Sequence, residues 1–387
     1  MPSLATNAFL VGSFLATSLL AQEPRTRIVF VGDSITEGTV QRHTYRQPLW
    51  TLLHGAGHCF DFVGARHGVI GGRAPAHPTY DLDHYGFSGG STIEVCFQLF
   101  APLQQFEADI AVVQLGTNDV IKGTVFYQMT TQQIAQVSDA FLRGIVSVLR
   151  SPQYDPNMEI VIAKIPPLPA VLVPTPALNL PAGTGTIYGL DQGILAVNAV
   201  IDGLATMPGV RIVDLHTGFD VQAHLADQVH PNGLGEQLIA NRLFGALQQI
   251  MPAPNPWSPC YGEFGTGSGL GRPTMHPATA TPAPVLGAPF TLEMSNLPSA
   301  APVVGMIGLT PAAISLAAID EFLFVDPAGY CDASLVGIAT GLGDFTWSLQ
   351  VPGLQSLAGL EVYVQALAFA NDAVAAVTNA GILRLGN

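Results

Sequence analysis

Between Arg25 and Ile250 the chain alternates short apolar runs with longer amphipathic stretches, and this alternation limits the fold more than any other feature. Arg27–Val31, Cys59–Gly64, Ile110–Leu115, Glu159–Ile165 and Val210–Leu215 are each brief, rich in aliphatic or aromatic residues and bounded by turn residues. Strands buried on both faces of a parallel sheet have this form. Within Thr131–Arg150, residues Ile134, Val137, Phe141, Ile145, Val148 and Leu149 recur at three- and four-residue spacing. That places them on one helix face. Asp191–Leu204 and Gly235–Ile250 are helical by the same reasoning. The expectation is a three-layer, flavodoxin-like α/β fold around a parallel five-stranded sheet, with helices on both faces. Right-handed crossovers then put ligands at the carboxyl ends of the strands.

The pattern breaks at Met251-Pro252-Ala253-Pro254-Asn255-Pro256, where the proline density predicts a stiff linker over 251–259. Beyond it, Phe290–Asn296, Phe345–Val351 and Glu361–Phe369 carry strand patterning. Residues 260–387 are therefore expected to form a small β-rich, sandwich-like domain. Its opening stretch, Arg272–Pro284, has the composition of linker. Trp347 and Tyr363 could stack on sugars, but their alternating strands place them in a core.

At the other end, Ala8–Leu20 is apolar, too short to span a bilayer, and followed by Ala21 as a cleavage-type small residue. Residues 1–21 are expected to be a signal peptide, 25–250 the α/β domain. The protein is then exported, secreted or held at a bacterial cell surface, with no membrane span in the mature chain. An exported chain can form disulfides among its four cysteines. Cys260 and Cys331 are paired here because both lie in the C-terminal third; Cys59 with Cys96 is a weaker pairing.

Acidic residues outnumber basic ones by 28 to 14, giving a formal charge of −14. No basic stripe is present, which argues against a nucleic-acid partner. With 48% hydrophobic and only 11% charged residues, the chain is not a disordered polyampholyte. The charge also disfavours an anionic polymer as substrate. Oligomeric state is left open.

The chemistry concentrates at strand ends. The first strand runs into Gly32-Asp33-Ser34-Ile35, so Ser34 starts a helix where an open sheet presents its ligands. A serine needs a base to become a nucleophile, and the base needs an orienting acid. Asp227 and His230, three residues apart before a helix, can supply both. Asn118, after the third strand, offers a side-chain amide to an oxyanion. Gly89, in Gly86-Phe87-Ser88-Gly89-Gly90, can bring a backbone N–H close, and the N–H of Ser34 is a third donor. His216 and His224 compete poorly as bases, since neither has an acid three residues before it. Ser88 sits in a G-x-S-x-G pattern, but that motif needs an apolar strand before it, and Tyr80–Tyr85 is polar and acidic. His54 and His58 are spaced as a helical metal pair, yet Gly55 and Gly57 intervene and no further ligand completes a site. No metal is assigned.

The four blocks around Ser34, Gly89, Asn118 and Asp227–His230, in this order, resemble the SGNH (GDSL-type) hydrolase family over roughly Arg27 to Gln248. The resemblance implies Ser34 as nucleophile, Asp227 and His230 as acid and base, and Ser34, Gly89 and Asn118 as the oxyanion hole. Within that family the chain is most similar to carbohydrate esterases that deacetylate polysaccharides such as xylan. Tyr45-Arg46, Leu49, Phe60–Gly64 and Asp83–Gly89 carry this likeness; Gly90 stands where such esterases often have an aromatic residue. The implied activity is a serine esterase acting on acetylated carbohydrate without a cofactor. Two alternatives stand beside it: a lipid or lysophospholipid acyl esterase, and a surface glycan-binding protein with an idle hydrolase domain.

Overall fold

A computed structural model describes residues 25–39, 44–70, 80–100, 106–173, 184–265, 267–269, 272–316, 321–326, 336–371 and 373–387. The expected signal peptide therefore lies outside the described residues, as does Cys331.

The strands β1 (Thr26–Gly32), β2 (Phe60–Val63), β3 (Arg66–His67), β4 (Asp83–Gly86), β5 (Ile110–Gln114), β6 (Glu159–Ala163) and β9 (Val210–Val213) form one sheet; β7 (Val171–Leu172) and β8 (Ile187–Tyr188) pair separately. The order is β3-β4-β1-β5-β6-β9, with β2 also beside β1. All contacts are parallel except β3 with β4. The five expected strands are all present, and β3 and β4 enlarge the sheet. β2 lines the first half of β1 and β4 its end, where Gly32 pairs with Gly86.

Alternation along each strand divides two cores. Ile28, Phe30, Ile110, Val112, Val161 and Ala163 face one side, while Val29, Val31, Ala111, Val113, Ile160 and Ile162 face the other. The first side is covered by α2 (Arg46–Gly55), which follows α1 (Ser34–Glu37), and by α8 (Gly233–Leu247), which follows α7 (Val221–His224). The second is covered by α3 (Thr92–Leu99), α4 (Thr117–Val125), α5 (Thr131–Leu149) and α6 (Leu190–Leu204). Burying both faces in this way is what a parallel sheet requires.

Among the described residues of 260–387, the regular elements are strands and one short 3₁₀ turn. Strands β10 (Cys260–Phe264), β11 (Ser268–Gly269), β14 (Pro302–Gly308), β17 (Val336–Ile338), β19 (Glu361–Ala370), β20 (Ala373–Val377) and β21 (Ala380–Arg384) make one sheet. β12 (Thr274–Pro277), β13 (Pro289–Ser295) and β18 (Phe345–Gln350) make a second, and β15 (Pro311–Leu316) pairs with β16 (Glu321–Val325). The first two sheets sandwich a core containing Phe290, Leu292, Trp347, Val364 and Ala366. Trp347 lies against Gly305, where even a Cβ would meet its ring at 2.5 Å. β12 falls inside the stretch expected to be linker. Met275 is fully buried there, and Asn379 holds its N–H at 2.6 Å and its carbonyl at 2.9 Å, so side-chain bonding supplies order that the proline-rich composition hid.

The other face of the large sheet joins the α/β core. Tyr363, Leu367 and Ile382 share one cluster with Phe60, Phe62 and Leu243. A disulfide fastens this junction, and it corrects the expected pairing: Cys260 is bonded to Cys59, not Cys331. The cause is topological. β10 packs beside β2, bringing residues 201 apart in sequence to a Cα separation of 5.7 Å. Cys96 is a buried free thiol, packed in the second core.

Candidate active site

Ser34 stands at a forced turn. β1 closes on α1 so tightly that a Cβ on Gly32 would lie 2.0 Å from Thr36 Oγ1. Asp33 caps α1, its side chain accepting the Ile35 N–H at 2.9 Å. Short polar side chains are favoured at this position because they satisfy an orphan helix N–H. Ser34 is thereby lifted to the carboxyl edge of the sheet with its own N–H at the helix start.

His230 reaches it from the α7–α8 loop. Ser34 Oγ and His230 Nε2 are 2.9 Å apart, and His230 Nδ1 lies 2.9 Å from Asp227 Oδ2. The loop is braced on itself. Asp227 Oδ1 accepts the backbone N–H groups of Val229 at 2.8 Å and His230 at 2.7 Å. Asn232 caps α8 and donates back to the Ala223 carbonyl at 2.8 Å. Burial alone would raise the Asp227 pKa. The hydrogen bonds from the His230 ring and backbone outweigh it and hold the carboxyl well below the usual range. An ionised acid on one ring nitrogen and a hydroxyl on the other is the arrangement by which a serine can be deprotonated.

Gly89 and Asn118 border the same cleft as Ser34. Asn118 is the second residue of α4, after Gly116, whose φ of 127° only glycine adopts freely. Its Nδ2 donates to Asp33 Oδ2 and to the Gly90 carbonyl, both at 3.2 Å. Gly89 has φ 72°. Among the described residues, no acceptor pairs with the N–H of Ser34 or of Gly89. Gly90 is required by packing, since a Cβ there would meet Val95 at 2.9 Å and the Phe87 carbonyl at 2.8 Å.

Several residues support the site, and of these Glu37 was not singled out by the sequence. Glu37, buried at the end of α1, accepts the Ser88 N–H at 2.7 Å and the Arg66 guanidinium at 2.7 Å. It ties the glycine loop to the nucleophile's helix. Arg46, fully buried, donates to the carbonyls of Thr36, Leu82 and Asp83. Asp119 holds Thr92 through its backbone N–H at 2.9 Å and its hydroxyl at 2.5 Å, bracing α4 against α3. Asp33 is itself enclosed. Burial pushes its pKa up to about 7, against the Ile35 N–H, His230 and Asn118.

The rejected candidates have other partners, although Ser88 borders the same cleft as Ser34. Ser88 follows β4, so a strand does precede it, but its N–H is held by Glu37 and no histidine pairs with its hydroxyl among the described residues. His224 Nδ1 accepts the Asp220 N–H at 2.9 Å. His54 stacks on Trp50 and lies 3.1 Å from Glu361. No cluster of three or more His, Cys, Asp or Glu residues could hold a metal among the described residues.

The site opens into a cleft of about 630 Å³, bordered by Phe87, Glu94, Gln98, Lys122, Phe126 and Leu172. A family model described as GDSL-like lipase/acylhydrolase matches residues 30–238, from the first strand into α8. The chain belongs to the GDSL-like lipase/acylhydrolase family. A multidomain esterase from Ruminococcus flavefaciens is 24% identical over 286 residues, 65% of this chain and 34% of that protein. The chain thus spans about a third of that relative's length. Among solved structures, a carbohydrate esterase family 3 protein from Talaromyces cellulolyticus is 24% identical. The match covers 58% of this chain and 97% of that one, with a TM-score of 0.43. A Clostridium thermocellum family 3 carbohydrate esterase is 22% identical, covering 59% and 100%, with a TM-score of 0.42.

Proposed function

We propose that the protein is an exported serine esterase that removes acetyl or other short acyl groups from a polysaccharide such as xylan. The observation that carries this is the continuous chain Ser34–His230–Asp227, with contacts of 2.9 Å at each step, opening on unpaired N–H donors. Family membership and the esterase name of the curated relative agree with it.

In this reading Ser34 Oγ attacks the ester carbonyl while His230 Nε2 takes its proton. The charge that develops on the carbonyl oxygen meets the N–H groups of Ser34 and Gly89. The Asn118 amide turns one N–H from the Gly90 carbonyl to the oxyanion while Asp33 keeps the other. Each such donor contributes about 2.7–4 kcal/mol in comparable sites. His230 then protonates the departing sugar hydroxyl. It next takes a proton from water as the water attacks the acyl-enzyme, and gives that proton to Ser34 Oγ as the acid leaves. No cofactor takes part.

The test offers the mature protein acetylated xylan, other acetylated glycans and nitrophenyl esters of increasing chain length, with Ser34→Ala as control. Release of acetate from xylan that Ser34→Ala abolishes supports the proposal. Undiminished turnover by Ser34→Ala overturns the nucleophile, and a preference for long acyl chains moves the substrate to lipids. Export is checked by sequencing the N-terminus of protein recovered from the medium, expected at Gln22.

A further inference from the structure

A second hollow of about 370 Å³ lies between α3, α4 and α5, bordered by Ile93, Phe97, Tyr127, Met129 and Ile134. Glu94 and Lys122 border both this hollow and the catalytic cleft. They form one ion pair across α3 and α4, with Lys122 Nζ 2.8 and 2.6 Å from the Glu94 oxygens. We propose that this hollow is a subsite for the sugar chain of the substrate, which runs from the cleft over the Glu94–Lys122 pair onto Phe97 and Tyr127. The inference rests on the esterase reading above and names where its polymer binds.

Three observations carry it. First, the two hollows adjoin, with Glu94 and Lys122 bordering both. Asn118, Lys122 and Phe126 succeed one another at four-residue spacing on the cleft side, so the catalytic cleft itself runs about 12 Å from the oxyanion donor to Phe126. That distance holds more than the ester itself. Second, the rings are available: Phe97 is 62% and Tyr127 68% exposed, although the Phe97 ring also has one edge near Phe141 of α5 at a centroid distance of 6.0 Å. Exposed rings beside a site mark binding surface rather than core. Third, the crossing point is charged. An acyl chain lying over Glu94 and Lys122 would strip water from an ion pair and return no hydrogen bonds. Sugar hydroxyls can donate to the carboxylate and accept from the ammonium while their C–H faces lie on Phe97 and Tyr127. Lys122 is one of only two lysines in the chain.

The experiment measures binding and turnover separately. Ser34→Ala protein is titrated with acetylated xylo-oligosaccharides by calorimetry, alone and with Phe97→Ala and Tyr127→Ala added. Both substituted rings are exposed, and circular dichroism verifies folding. The expected result is a Kd raised by about tenfold in the triple variant. In the Ser34 background, the paired substitution should raise KM for acetylated xylan by about five- to tenfold and leave nitrophenyl acetate within about twofold. Tyr127→Phe should keep most of the affinity. Unchanged oligosaccharide binding overturns the subsite. So does a loss seen only with long-chain nitrophenyl esters, which would make the hollow an acyl groove. Oligosaccharide binding without turnover of any acetyl ester leaves the subsite standing and sinks the esterase reading instead.

Discussion

Asn118 Nδ2 lies 3.2 Å from Asp33 Oδ2, so the amide assigned to the oxyanion is oriented by the residue that caps the nucleophile's helix. Asp33→Asn separates the two duties. An asparagine oxygen can still accept the Ile35 N–H, since Asn caps as well as Asp, but its NH₂ then confronts the NH₂ of Asn118. We expect kcat on nitrophenyl acetate to fall about 10–100-fold with KM nearly constant. A kcat equal to wild type would remove Asp33 from the mechanism.

The same substitution carries a stability signature. The folded-state pKa of Asp33 is raised by burial to about 7. A raised carboxyl favours the folded state fully below its unfolded value of about 3.9, and that contribution is lost as pH climbs through the folded value. Asp33→Asn has no charge to bury. Its Tm relative to wild type should therefore improve from about pH 4 to about pH 7 and level off above that. Scanning calorimetry across that range checks this; a gap that stays constant with pH would show that the buried charge carries no cost.

Asp227 behaves oppositely. Its folded-state pKa is depressed, so it contributes stability above the unfolded carboxyl value, lost only as pH falls through the lower folded one. It stays ionised across the working range and sets no limb of the rate profile. Asp227→Asn should lower kcat by about 10²–10⁴ through the wrong ring tautomer, and destabilise at neutral pH more than in acid. A kcat within about twofold of wild type would mean that backbone contacts alone orient His230.

The contact chain Ser34–His230–Asp227 was legible because each member sits in a short local pattern at a strand end or loop, where sequence spacing fixes spatial spacing. Ser34 followed an apolar run, and Asp227 and His230 share one loop. The three helices and five strands with clear periodicity were legible for a similar reason. What stayed hidden depends on distant partners. β4 and its approach are written in polar residues because Asp81, before the strand, and His84, within it, are buried and hydrogen-bonded, so the strand carries no apolar signature. Glu37 looks like an ordinary acid in a first turn until the Gly86–Gly90 loop folds over it. The Cys59–Cys260 bond follows from β10 docking beside β2, and connectivity cannot be read from cysteine positions.

Glu37 offers a test of that hidden scaffold. Its two oxygens hold Ser88, the residue next to the Gly89 donor, and Arg66, while Glu37 itself stands three residues from Ser34. Glu37→Gln keeps one acceptor and loses the ion pair. We expect kcat to fall about three- to tenfold with an unchanged pH profile, and Glu37→Ala to fall further. A loss confined to KM would instead place Glu37 in substrate binding, not in positioning the donors.

The Cys59–Cys260 bond should act on stability and spare the chemistry. It closes a long loop across the junction of the two domains, and removing a crosslink of this kind typically costs about 2–4 kcal/mol. Around it the junction keeps other ties. Arg25 bridges Asp61 at 3.3 Å and Glu263 at 3.1 Å, and Arg384 donates to the Gly57 carbonyl at 3.0 Å. The paired substitution Cys59→Ser and Cys260→Ser should thus lower Tm by about 5–15 °C while the β-rich domain stays docked through the shared core. Its initial rate on nitrophenyl acetate at 25 °C should match wild type, and reduction of the wild-type protein should give the same Tm. A Tm unchanged by either treatment would show that the packed junction alone holds the domains. A lower rate at 25 °C would show that the junction reaches Ser34 through β1, which runs from Arg25 to the nucleophile.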